Sequence, residues 1–173
     1  MKRLLHLVRR FFAGLLPIGP RAGDDAWARN RLSEPEQELW ARMARVDRRH
    51  SARVARRVEA DLGAVATTPV LAAALLHDVG KTIPDLGTFG RVVATLSEMV
   101  AGEDTAHQWV QTRGFTRRVG QYVLYPELGV DLLRLAASDD LVIAWSREHH
   151  LPEADWTVPV DLGRVLQAAD DAG

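Results

Sequence analysis

At 173 residues and 47% apolar composition, the chain is long and apolar enough to bury one core, which excludes disorder as its overall state. Its 22 basic residues face 23 acidic ones, and the formal charge of -1 gives no global nucleic-acid signature. Cysteine is absent, which excludes disulfides, thiolate catalysis and cysteine-based zinc sites and leaves His, Asp, Glu or water to hold any metal.

The basic residues crowd between Lys2 and Arg57, and Asp131 onward is mostly acidic. No apolar run approaches the ~20 residues of a membrane span. In the first segment, apolar residues at 4, 5, 7, 8, 11, 12, 15 and 16 make one helical stripe, with Lys2, Arg3, Arg9 and Arg10 on the other face. Three roles compete for residues 2–16: docking on their own domain, contact with an anionic membrane surface or a partner, and an export signal through Arg9-Arg10-Phe11-Phe12. Pro17 breaks the stripe, and no small-x-small cleavage site follows. Residues 1–32 therefore read as a basic amphipathic helix and connector, with a short helix around Trp27, and residues 33–173 as the main domain. The expected location is cytoplasmic, with peripheral membrane contact open.

Ser33 and Glu36 form a capping box, Pro35 suits a first turn, and the helix so started is predicted to run to about Leu62 before Gly63. His50 falls on its apolar stripe, four residues after Val46 and four before Val54. Thr67-Thr68-Pro69 opens a second helix, LAAALLHDVGK, nearly all apolar, that delivers His77 and Asp78 to the interior, with Gly80 as its stop and Lys81 just beyond. A loop over Thr82–Gly87 leads to a helix over Phe89–Val100, a turn over Ala101–Asp104, and a further helix capped by Thr105. Helices follow over Phe115–Leu124 and Glu127–Ala136, separated by Tyr125-Pro126. Asp139 or Asp140 caps one reaching His149-His150, which Pro152 stops. After a loop over Leu151–Pro159, a last helix over Val160–Ala169 reaches Asp170. No period-two alternation occurs, so the expected fold is all-α.

An inward His on one helix and an inward His-Asp pair on the next can converge, and a buried His-Asp pair needs a partner. His50, His77, Asp78 and Asp170 supply imidazoles and carboxylates from three helices, a set suited to a divalent metal and phosphate chemistry. Lys81 beside them can meet a phosphate as a point charge, or remain a solvated loop charge. His149 and His150 read either as a helix C-terminal cap or as ligands of a second ion. His107 and His6 match nothing, and the five tryptophans read as core and interface anchors.

The order H50-S-x-R-V-A, L-L-H77-D78-V-G-K81 and V-L-x-A-A-D170 resembles the HD-domain superfamily of metal-dependent phosphohydrolases, over about residues 47–171. That resemblance implies a helical bundle with His50, His77, Asp78 and Asp170 as ligands of one divalent ion (Mn, Fe, Mg, Co or Zn), one ion being expected rather than two. It implies a small phosphorylated metabolite or nucleotide as substrate, with Asp78 positioning the attacking water and Lys81 stabilising phosphate charge. The second half is similar to the HD-GYP branch, through Y125-P-E-L-G129 and the His149-His150 pair. Tyrosine stands there in place of the ligand histidine, and the GYP loop is missing. The alternative is a non-catalytic HD-type signalling or binding module.

Overall fold

The computed structural model describes residues 20–172. The amphipathic helix expected over residues 2–16 lies outside them. Among the described residues, nine α-helices follow in order: α1 Ala22–Arg29, α2 Glu34–Arg42, α3 Arg45–Leu62, α4 Thr68–Leu76, α5 Thr88–Val110, α6 Gly114–Val123, α7 Tyr125–Leu135, α8 Asp140–Glu148 and α9 Val160–Ala172. No strand occurs among the described residues, so the fold is all-α as expected. No helix among them is long and apolar enough to cross a membrane.

The centre is α4. Every residue from Val70 to Leu76 is buried, because a helix apolar on all sides is stable only when other elements cover it completely. The covering elements are α3 and α8, and α9 packs in turn on α3. Trp40, Trp145, Val54, Val58, Leu133 and Leu166 interlock with α4 in one apolar cluster. The helix around Trp27 is present as α1, where Asp25 accepts the indole N–H of Trp40 at 2.9 Å; Ala28, and Leu32 just after the helix, join the same cluster.

Several local signals are realised as read. The Ser33–Glu36 capping box forms, Gly63 ends α3 at φ 54°, Thr67 caps α4 with Pro69 in its first turn, and the Asp139 side chain accepts Leu141 N–H at the start of α8. Three expectations are corrected. The single helix expected from Ser33 to Leu62 is two helices, broken where Met43 and Ala44 take extended backbone (ψ 145° and 149°). The break lets Leu39, Trp40 and Met43 enter the same core as Ala52, Val54 and Val58, and no Gly or Pro marks it. Conversely, the turn expected over Ala101–Asp104 is absent and α5 runs unbroken through it. One interior glycine costs a helix only about 1 kcal/mol against alanine, too little to end a helix of this length. Finally, Gly80 does not stop α4.

The helix ends at Leu76, and Gly80 lies in a 3₁₀ turn, Val79–Thr82, that packs on α7. A Cβ at Gly80 would fall on the Tyr125 carbonyl oxygen, and one at Gly129 would lie 2.7 Å from Ser146 Oγ. Close backbone approach, rather than conformational freedom, explains both glycines. This crossing sets Tyr125 against the turn that follows His77 and Asp78.

Candidate metal centre

His77 is the C-cap of α4, and its side chain is 1% exposed. Its Nδ1–H donates to Ala74 O at 2.9 Å, one turn back, which assigns the lone pair to Nε2 and fixes the ring. That Nε2 is buried without a hydrogen-bond partner. Two carboxylate oxygens, Asp78 Oδ2 and Asp170 Oδ1, each lie 3.7 Å from it. An imidazole lone pair and carboxylates cannot hydrogen-bond one another without a shared proton, and the distances are long for that. Metal-ligand chemistry accounts for such an arrangement readily.

Three of the expected residues come together most tightly: ligand-type atoms of His50, His77 and Asp78 all lie within 4.8 Å of one another, and all three residues are buried. This group could hold a metal ion. The α3 stripe brings His50 inward as its register with Val54 requires, and the ring meets that of His77 edge-on at 5.6 Å. Asp170, on α9, reaches the group through His50, whose Nε2 lies 2.7 Å from Asp170 Oδ1. The three-residue group offers two imidazoles and a carboxylate, nitrogen and oxygen donors of the kind that can hold a divalent ion, with Asp170 bonded to His50 at its edge.

Lys81 does not stand apart as a solvated charge. Its Nζ donates to Asp78 Oδ2 at 2.6 Å, three residues back, and lies over the Tyr125 ring at 4.5 Å from the centroid. The ammonium thus already counters the negative charge of the group.

His149 and His150 lie next in line. The rings of His77 and His149 are 5.1 Å apart and those of His149 and His150 are 4.0 Å apart, so four imidazoles form a row from α3 to the end of α8. His149 is 3% exposed, donates Nδ1–H to Ser146 O at 2.9 Å, and points Nε2 to within 3.9 Å of Asp78 Oδ1. Burial, with His150 and His77 adding to it, pushes its imidazole well below the ordinary value. His150 keeps an exposed edge, yet burial and then the Lys81 ammonium push it down to about 4. Both shifts favour the neutral imidazole, and His149 caps the C-terminus of α8 through hydrogen bonds from its Nδ1–H to the last-turn carbonyls rather than through a cationic charge. The hydroxyl of Tyr125 meets both: 3.0 Å from His149 Nε2 and 2.6 Å from His150 Nε2.

Two supporting features fall outside the motifs read from the sequence. Glu148 is fully buried, and its carboxylate accepts Thr157 N–H at 2.6 Å, Thr157 Oγ1–H at 2.6 Å, Val158 N–H at 3.3 Å and Arg147 Nη2–H at 2.9 Å. Trp156 Nε1–H donates to the Glu148 carbonyl at 3.1 Å, so one residue ties the loop after α8 to the helix end that carries the histidines. Asp47, one turn before His50, accepts both hydrogen bonds of Arg91 Nη1 at 2.8 and 2.6 Å, linking α3 to α5. Asp47 shares the inward face with His50 at i, i+3, a signal legible in the sequence. Nothing distinguishes Glu148 from any glutamate at an exposed helix end. His107 is exposed, 3.9 Å from Glu127, and takes no part in the site.

No family model, no curated protein and no solved structure matches this chain.

Proposed function

We propose that this chain is a divalent-metal-dependent phosphohydrolase of the HD type, acting on a small phosphorylated metabolite or nucleotide. One observation carries the reading: the buried His77 Nε2, its lone pair fixed by Ala74 O, has no hydrogen-bond partner and faces two carboxylate oxygens at 3.7 Å. An unpartnered buried polar atom calls for an explanation, and a cation bound by His50, His77, Asp78 and Asp170 supplies one. Such an ion provides Lewis acidity toward a phosphoryl oxygen and hydroxide at neutral pH. Within the protein, the hydrogen bond to Ala74 O turns His77 Nε2 toward the carboxylates, and burial favours the neutral forms of His149 and His150, which then add no charge to repel a cation. Asp78 orients the attacking water by accepting its hydrogen bond. Lys81, whose Nζ lies 2.6 Å from Asp78 Oδ2, offsets charge on a phosphate oxygen held beside Asp78.

The test is a phosphoester panel assayed with Mn(II), Mg(II), Co(II) or Zn(II) added. Metal-stimulated hydrolysis is expected in the native chain. Asp78→Ala should abolish it with the far-UV circular dichroism unchanged, and full activity in that variant would rule the mechanism out.

The Lys81–Asp78 ion pair favours a second reading, a non-catalytic binding module in which the ammonium permanently neutralises the carboxylate. Metal analysis separates the two, since protein that retains no ion after each addition supports the module.

A further inference from the structure

We infer that Tyr125 limits this centre to a single cation, its hydroxyl occupying the position between His149 and His150 where a second ion would bind. The inference rests on the metal-centre reading above and adds the number of ions. The imidazole row extends beyond the His50–His77–Asp78 group, and Asp78 faces its two central rings: Oδ2 lies 3.7 Å from His77 Nε2 and Oδ1 3.9 Å from His149 Nε2. A carboxylate between two inward imidazole nitrogens is the arrangement that bridges two ions, so the scaffold has the outline of a second position.

That position is filled by the chain itself. Because His149 Nδ1 donates to Ser146 O, its Nε2 can only accept, and the Tyr125 hydroxyl donates to it at 3.0 Å. His150 Nε2–H then donates to the same oxygen at 2.6 Å. A hydroxyl that gives its proton to one imidazole and accepts from the other uses both nitrogens that would ligate an ion.

Nor is the phenol placed to swing aside. Tyr125 is 6% exposed, the Lys81 ammonium lies over its ring, and its carbonyl abuts Gly80 with no room for a Cβ. Its backbone is fixed by the same glycine crossing that fixes the turn after His77.

The experiment loads metal-free, full-length protein with excess Mn(II), removes unbound ion, and counts bound manganese by elemental analysis alongside its electron paramagnetic resonance spectrum. One ion per chain with an uncoupled spectrum is expected for the native protein, whereas Tyr125→Phe, which keeps the ring but removes the hydroxyl and so frees both nitrogens, is expected to bind a second ion. Two ions with an exchange-coupled spectrum are expected for Tyr125→His. Two ions in the native protein, or one in a Tyr125→His variant of native circular dichroism, would overturn the inference and leave the metal centre standing. No ion in any of the three would overturn both. Loading the native protein with Fe(III) gives a check that needs no variant: the expected spectrum lacks a visible tyrosinate-to-iron band, and such a band would show the phenol to be a ligand and overturn the inference.

Discussion

His77 and His149 are the same device used twice. Each caps the C-terminus of a short helix, each is buried, and each donates Nδ1–H at 2.9 Å to the carbonyl three residues back, Ala74 and Ser146 respectively. Each therefore turns an Nε2 lone pair toward Asp78. They differ in what stands opposite. His77 Nε2 has carboxylates at 3.7 Å and no hydrogen bond, whereas His149 Nε2 receives the phenol of Tyr125. A histidine's own helix fixes its tautomer, and the facing element decides whether the lone pair is available.

Substitutions can break or sharpen this contrast. The largest expected effect is Gly80→Ala, which drives a methyl into the Tyr125 carbonyl and should cost about 3 kcal/mol, read by denaturant unfolding. Next, His77→Ala should weaken Mn(II) binding by at least ~100-fold, more than loss of a supporting residue typically does, while His149→Ala keeps one tight ion. Calorimetric titration of both variants checks this, and equal losses would erase the distinction drawn here.

Glu148→Gln tests whether the end of α8 must be clamped for His149 to keep its place. Replacing the carboxylate weakens the hydrogen bonds from Thr157, Val158 and Arg147, for an expected loss of about 2 kcal/mol. Burial alone would raise this carboxyl, but hydrogen bonds from the Thr157 side chain and backbone, from Arg147 and from Val158 outweigh it and hold it below its ordinary 4.5. The folded form thus binds its proton less readily than the unfolded chain does. The stability so gained is complete above about pH 4.5 and is lost as pH falls through the folded value. Denaturation followed against pH should show a shallower acid slope in the Gln variant than in the native protein. The smallest effect is expected at Gly129→Ala, within about 1 kcal/mol. There the methyl would lie 2.7 Å from the Ser146 Oγ, which can turn away, and 3.3 Å from the Gly80 backbone nitrogen, a tight contact that alanine's helix preference partly offsets.

How much of this was legible follows from the range over which each signal acts. Caps and breakers act within one turn, so Ser33 with Glu36, Thr67 with Pro69, Gly63 and Asp139 mark helix ends that the structure shows. The inward direction of His50 followed from helix periodicity with Val54. The break at Met43–Ala44 was not legible, because core packing imposes it on residues that would also suit a helix. Gly80 was misread for a related reason: its neighbour is Tyr125, and sequence offers no sign of a contact between two backbones so far apart along the chain. The position of Tyr125 beside both histidines was anticipated only as a departure from a motif, and its two hydrogen bonds needed coordinates.

The hydrogen bond between His50 and Asp170 spans 120 positions of the chain. At a synthesis rate of ~5–20 residues per second, His50 waits on the order of ten seconds for its carboxylate partner. In that interval α3 and α4 can already associate, placing His50, His77 and Asp78 near one another while the α9 side of the group is still open. Metal captured then would meet an incomplete donor set with extra room for water. The order of synthesis thus leaves the α9 side of the His50–His77–Asp78 group open until the last helix docks.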